Sequence, residues 1–309
     1  MTEPELLAEQ RDGVGYLHLN RPRAINALTV AMFTGIRAAL GAWAEDASVE
    51  RVELSGAGDR GLCAGADVRA LREQILAGGD PAAPLAEEYA MDAAVAAFPK
   101  PYTAHMRGFT MGGGLGVSAH GTRRLVYPDS ALAMPETIIG FVPDVGMMWL
   151  LARAPGELGT HLALTGATIN AADAVLVGWA DEVVGPPPAS SLVADRSWID
   201  ICYAGDDPVA VVHRLEQHAD PRAREAGALI RQRSPFAVAV ALEALRRARA
   251  LATVADVLDQ DLTLARALLP RPDFAEGVRA QLVDKDRRPR WRPGRLEEVD
   301  RGAVLACFG

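Results

Sequence analysis

Met111–Gly121 reads MGGGLGVSAHG, and it is followed by AMPETIIGFVPDVG at 133–146. Three consecutive glycines stand in an apolar neighbourhood, although glycine is entropically costly to order. Glu136 and Asp144 stand among residues that otherwise look buried. The glycine run follows KPYTAHMRGFT (100–110), which reads as a strand, and it opens what reads as a helix. A glycine turn from strand into helix leaves backbone N–H groups without partners. The same arrangement occurs at CAGAD (63–67). Neither turn is a phosphate loop, because no Gly-Lys-Ser/Thr follows, and neither has the setting of a dinucleotide fingerprint. If the two turns face each other, two N–H groups could hold one oxygen that becomes negative during a reaction. Close helix–strand packing would use the same glycines, and the spacing alone does not separate the two uses.

The chain of 309 residues is half hydrophobic and 23% charged, an ordinary globular balance. A net charge of -8 argues against general nucleic-acid binding and gives no pull toward an anionic membrane. The start, MTEPELLAEQRDG, lacks the basic and apolar runs of a secretion signal. No apolar stretch is long enough for a transmembrane helix. Cys63, Cys202 and Cys307 are far apart and odd in number, which suggests a reducing compartment and gives no metal signal. A cytoplasmic location is the expectation.

Working outward, GVGYLHLN (13–20), RVELSGAG (51–58) and RRLVYP (123–128) read as strands. A helix is expected from about Asn26, another after CAGAD, and AADAVLVGWADEVV (171–184) reads as a helix turning into a strand. Strands alternating with helices predict an α/β core over 1–190. After PPPAS the apolar residues fall at helical intervals, so 191–309 is expected to be a helical region ending in an extended tail. Arg287, Arg288, Arg290 and Arg292 in that tail read as a solvated arm.

GLCAGADVRAL, HMRGFTMGGGLG and AMPETIIGFVPDVG together resemble the crotonase (enoyl-CoA hydratase/isomerase) superfamily. NRPRAINALT and DFAEGVRAQLVDKDRRPRWRP resemble its 3-hydroxyisobutyryl-CoA hydrolase-like branch. The resemblance implies a spiral of ββα units with a helical C-terminal region, and a coenzyme A thioester as substrate with no other cofactor and no metal. It implies an oxyanion hole from the backbone N–H groups of Ala66 and Gly113. It places Arg23, Ala24 and Ile25 at the adenine side of the substrate and Glu73 beside the substrate. Many relatives assemble through the helical region, so a homo-oligomer is expected.

The superfamily's hydratases use two glutamates. Here the first position is Gly116, which cannot transfer a proton, and the second is Glu136. Asp144 stands where the hydrolase branch carries an acidic residue. The expectation is therefore a thioesterase for a short 3-hydroxyacyl-CoA, with 3-hydroxyisobutyryl-CoA of valine breakdown as the default. A thiolate whose conjugate acid has a pKa of about 8.5, by analogy with cysteine, leaves with little help. Glu136 could activate water or attack the thioester itself. Asp144 could position water or the substrate hydroxyl, or simply cap a helix beginning near Val145. An enoyl-CoA hydratase or isomerase working through Glu136 is the alternative, and a silent CoA-binding protein the third. Met147, Met148 and Trp149 depart from the glycines often found after PDVG in the hydrolases, which leaves the acyl group open.

Overall fold

The computed structural model describes residues 3–309. Nine strands alternate with helices up to residue 183. They are β1 (Leu6–Arg11), β2 (Val14–Leu19), β3 (Arg51–Gly56), β4 (Tyr102–Met106), β5 (Phe109–Met111), β6 (Arg123–Val126), β7 (Ala131–Ala133), β8 (Ile169–Asn170) and β9 (Glu182–Val183). The helices of this part are α1 (Val30–Glu45), α2 (Val68–Leu76), α3 (Ala83–Ala96), α4 (Gly113–Ala119), α5 (Met147–Leu151), α6 (Leu158–Thr165) and α7 (Ala171–Leu176).

One sheet has the order β1-β2-β3-β4-β6-β9, and a second has the order β5-β7-β8. β1 pairs antiparallel with β2, while β2, β3, β4, β6 and β9 pair in parallel. The stretch expected as one strand at 100–110 is two. It breaks at Arg107–Gly108, leaving β4 in the large sheet and β5 in the small one. That break turns the chain from one sheet to the other, and α4 follows directly, so β4, β5 and α4 form one ββα turn of a spiral.

The first helix begins later than its apolar spacing suggests. Thr29 caps it by accepting from the Met32 N–H at 3.4 Å. Asn26 instead adopts φ +53 and is fully buried. Its amide donates to the carbonyls of Ala57, Gly61 and Leu62 and its oxygen accepts from Arg21 N. A side chain that satisfies four backbone groups in a loop is worth more there than in a first helical turn.

Beyond β9 the chain is helical: α8 (Ser191–Cys202), α9 (Pro208–Gln217), α10 (Pro221–Gln232), α11 (Pro235–Ala248), α12 (Val254–Leu268) and α13 (Pro272–Val278) are its main elements. This region has no core of its own. One hydrophobic cluster runs from Leu17 to Cys307. α12 packs on α3, and α13 packs on α2 and on the 136–139 turn. Arg72 Nε donates to Ala275 O at 2.9 Å, and Arg69 donates to Leu282 O, which ties α2 to the segment after α13. Residues 285–295 form no helix or strand and are mostly exposed, with Pro289, Trp291 and Pro293 half-buried. Among the described residues no helix is long and apolar enough to cross a membrane.

Candidate active site

The two glycine turns do face each other. Cys63 N donates to Phe109 O, and Met111 N donates to Cys63 O, lacing the CAGAD loop along β5. Gly112 sits at φ +50 and ψ -124, a conformation open to glycine and closed to other residues. It reverses the chain so that α4 starts at Gly113 beside the CAGAD loop. A Cβ placed on Gly113 would stand 3.3 Å from Ala66 N. Among the described residues, neither Ala66 N nor Gly113 N donates to another group. Two free amides converging on one spot are the geometry of an oxyanion hole.

These amides open into a cavity of about 350 Å³ with mainly apolar walls, among them Val68, Leu71, Leu85, Phe141, Leu269 and Phe274. Glu136 and Asp144 both line it. Glu136 begins a single 3-10 turn, Glu136–Ile139, where its Oε1 lies 3.0 Å from the place a Cβ on Gly112 would take. Its other oxygen has no partner. Asp144 Oδ2 accepts from the Tyr89 hydroxyl at 2.7 Å. Asp144 does not cap a helix: α5 starts only at Met147, with Gly146 at the cap position.

A third carboxylate in the cavity comes from α3, an element that the apolar spacing does not reveal. Glu88 is 1% exposed, and its Oε1 occupies the space in front of Gly113, so that a Cβ there would collide with it. Asp92, one helical turn further along α3, and Asp261 of α12 lie behind it, both at 0% exposure. The available signal is EEYAMDAA (87–94), where Glu88 and Asp92 stand four apart, with Glu87 beside them, in a mainly apolar helix.

Glu73 is a correction. α2 turns Val68 and Leu71 toward the cavity, and a residue two positions after Leu71 lies about 200° round the helix, so Glu73 is exposed and outside the site. Arg23 and Ala24 are exposed and Ile25 half-buried; none of the three lines the cavity. They flank it from outside, since Ile25 O accepts from Ala64 N at 2.8 Å. Cys63 is buried, which pushes its thiol up to about 12 and leaves it unreactive. His105 lies on the large sheet, bonded to Glu53 at 2.9 Å and Tyr127 at 2.8 Å, away from the cavity.

No salt bridge among the described residues reaches Glu88, Asp92, Glu136, Asp144 or Asp261. Burial raises all five, because charge is poorly solvated there. Asp144 is pushed up to about 7 by burial, with the Tyr89 hydrogen bond pulling the other way. Glu136 is raised well above the carboxylate range by burial first and the charge of Asp144 second. Glu88 follows the same order, burial then Asp144. The group therefore ionises in steps that belong to the set rather than to one residue.

These shifts make a stability prediction. Each folded pKa lies above its unfolded value, so the folded state holds more protons between them, and stability falls as pH rises through that window. For Asp144 the window runs from 3.8 to about 7. One pKa unit is about 1.4 kcal/mol, and about 1 kcal/mol moves Tm by roughly 2–4 °C in a chain of this size. Calorimetry is expected to give a Tm lower by roughly 5 °C at pH 8 than at pH 5.5. A Tm that rises over this interval would contradict the buried protonated cluster.

The profile of the family described as Enoyl-CoA hydratase/isomerase matches residues 14–187 and 184–308. The chain is 33% identical to a Gallus gallus protein named "3-hydroxyisobutyryl-CoA hydrolase, mitochondrial", over 98% of this chain and 88% of that one. Among solved structures, a carnitinyl-CoA dehydratase from Mycobacterium thermoresistibile superposes with a TM-score of 0.95 at 44% identity, covering 99% of this chain and 96% of that one. An enoyl-CoA hydratase from Rhodobacter sphaeroides superposes at 0.94 and 38%, covering 99% and 97%. A fold shared over the whole length and a hydrolase-named relative at this identity agree with the two laced glycine turns: the chain belongs to the enoyl-CoA hydratase/isomerase (crotonase) family.

Proposed function

We propose that the protein hydrolyses a short 3-hydroxyacyl-CoA thioester, with 3-hydroxyisobutyryl-CoA, an intermediate of valine breakdown, as the first candidate. The observation that carries this reading is the packing around Gly116. A Cβ there would lie 2.6 Å from Asp92 Oδ1 and 2.8 Å from Val145 Cβ. The position from which the hydratase pattern supplies its first glutamate has no room for any side chain. What remains is Glu136 and Asp144, with Glu88 beside them, lining one cavity with the two free amides.

That set suffices for hydrolysis. The thioester oxygen accepts from Ala66 N–H and Gly113 N–H. Glu136 delivers the attacking oxygen, either by taking a proton from water or by adding its own carboxylate to the carbonyl carbon, and water then completes the reaction. The carbon–sulfur bond breaks, the electron pair leaves on sulfur, and the protonated member of the carboxyl pair returns the proton. Water in, acid and thiol out, balances the step. Asp144, held by Tyr89, orients the water or the 3-hydroxyl.

The hydrolase-named relatives support this reading. The hydratase and dehydratase names of the more similar solved structures favour a second one, addition or removal of water at the acyl double bond. One experiment separates them: 3-hydroxyisobutyryl-CoA is offered with a thiol reagent, and the rate followed from pH 5.5 to 8.5. Thiol release is expected to rise with pH as the carboxyl set loses its first proton, burial having raised Glu88, Glu136 and Asp144 alike. Loss of enoyl absorbance from an unsaturated thioester, with no thiol released from either substrate, would move the assignment to the second reading.

A further inference from the structure

Asp144 reaches the cavity from a backbone turn that should not be stable on its own. Val145, which follows it, adopts φ +50 and is fully buried. A β-branched residue in the left-handed region is a rare outlier, and such strain persists only where surrounding structure over-determines it. Gly146 continues the turn at φ +74.

Two side chains grip this turn from opposite sides. His120 Nε2 donates to Val145 O at 2.7 Å. Asp261 Oδ2 accepts from Gly146 N at 2.8 Å. Burial lowers the proton affinity of His120, which keeps it neutral with the proton on the donating nitrogen. The Val145 side chain fills the hollow over Gly116, and the Tyr89 hydroxyl fixes the Asp144 carboxylate. Tyr89, His120 and Asp261 do not line the cavity. His120 ends the same helix whose first residue, Gly113, supplies an oxyanion amide. One short helix thus sets both the amide and, through the turn, the carboxylate.

We propose that Asp261 and His120 are positioning residues that hold the left-handed Val145–Gly146 turn and thereby fix Asp144 relative to the oxyanion hole. The role of Asp144 rests on the thioesterase reading above; the clamp itself does not. The titratable groups facing Asp144 are Glu88, Tyr89 and Asp92 from α3, Glu136 from its 3-10 turn and Asp261 from α12, with His120 behind the turn.

The test compares Asp261→Leu, which keeps the shape and removes the acceptor, with Asp261→Asn, which keeps an acceptor oxygen and removes the ionisable group. For Asp261→Leu, kcat for thiol release is expected to fall on the order of 10- to 100-fold, the effect of misplacing a reacting group by about an ångström, with KM within about threefold. Amide exchange across residues 142–149 should quicken in the same variant. Asp261→Asn should keep most of kcat and the slow exchange. Adding Val145→Gly to Asp261→Leu should recover part of kcat, because glycine needs no clamp at this φ. If Asp261→Leu does not fold, His120→Phe cuts the other bond and is expected to give the same kcat loss and faster exchange. Unchanged exchange in the folded variant, a loss confined to KM, or an Asp261→Asn variant as impaired as Asp261→Leu would overturn the clamp. Should the wild type release no thiol, the thioesterase reading fails, and the exchange measurement still decides the clamp.

Discussion

Glu136→Gln is expected to slow thiol release from 3-hydroxyisobutyryl-CoA, if that is the substrate, by about 10³-fold, within the range for loss of a positioned base or nucleophile. The substitution is nearly isosteric, so the cavity keeps its shape, and substrate binding measured by calorimetry should change little. It removes the only group in the 3-10 turn able to take a proton or form an anhydride. Its effect on stability runs the other way. Glu136 is buried with Oε2 unpartnered and its pKa raised well above the usual range. A neutral amide removes a group that is reluctant to ionise, so Tm at pH 8 should rise while turnover collapses. A loss of activity accompanied by a lower Tm would point to a structural role instead. A loss below about tenfold would remove Glu136 from the reaction.

Gly113→Ala acts on the opposite side of the carbonyl. Its methyl would collide with Glu88 Oε1 and crowd Ala66 N, the other donor of the hole. Two consequences follow. The methyl crowds the space in front of the two amides, and a displaced Glu88 carboxylate brings negative charge into it. Loss of one oxyanion donor costs about 10²–10³ in kcat elsewhere, and here both donors are obstructed, so a decrease of about 10³-fold is expected. Single-turnover thiol release measures it, with CoA binding as the control. Activity within about tenfold of the wild type would show that the carbonyl does not reach these amides.

The parts of this site that could be read from the sequence are those where a residue type admits few uses. A glycine run in an apolar setting after a strand signals close approach of backbone, and Gly112 and Gly113 show why. Glu136 and Asp144 stood out because carboxylates in apolar segments need a reason. α3 was hidden for the same physical cause. Glu88, Tyr89, Met91, Asp92 and Val95 are all buried, so its inward side mixes acidic and apolar residues. A hydrophobic stripe is what reveals a helix, and buried acids erase it. Glu73 resembled a site residue because sequence order alone does not say which side of α2 a residue takes. The strand at β1 escaped notice because its residues are mostly exposed and show no alternation. The division near residue 190 marks where strands end among the described residues, yet the shared core makes it no seam.

That shared core has a consequence for how the protein comes into being. The floor of the cavity, from Ala66 to Asp144, leaves the ribosome before Leu269, Phe274, Gln281 and Leu282 of the opposite wall. Until they arrive, Val68, Leu71, Leu85 and Phe141 present an apolar face with no lid, and the carboxylates beneath stand in water as ordinary ions. A nascent chain at that stage carries Glu88, Glu136 and Asp144 and both glycine turns, but its cavity lacks a wall. The open apolar face is a surface for chaperones, and the cavity closes only once the second wall has been made.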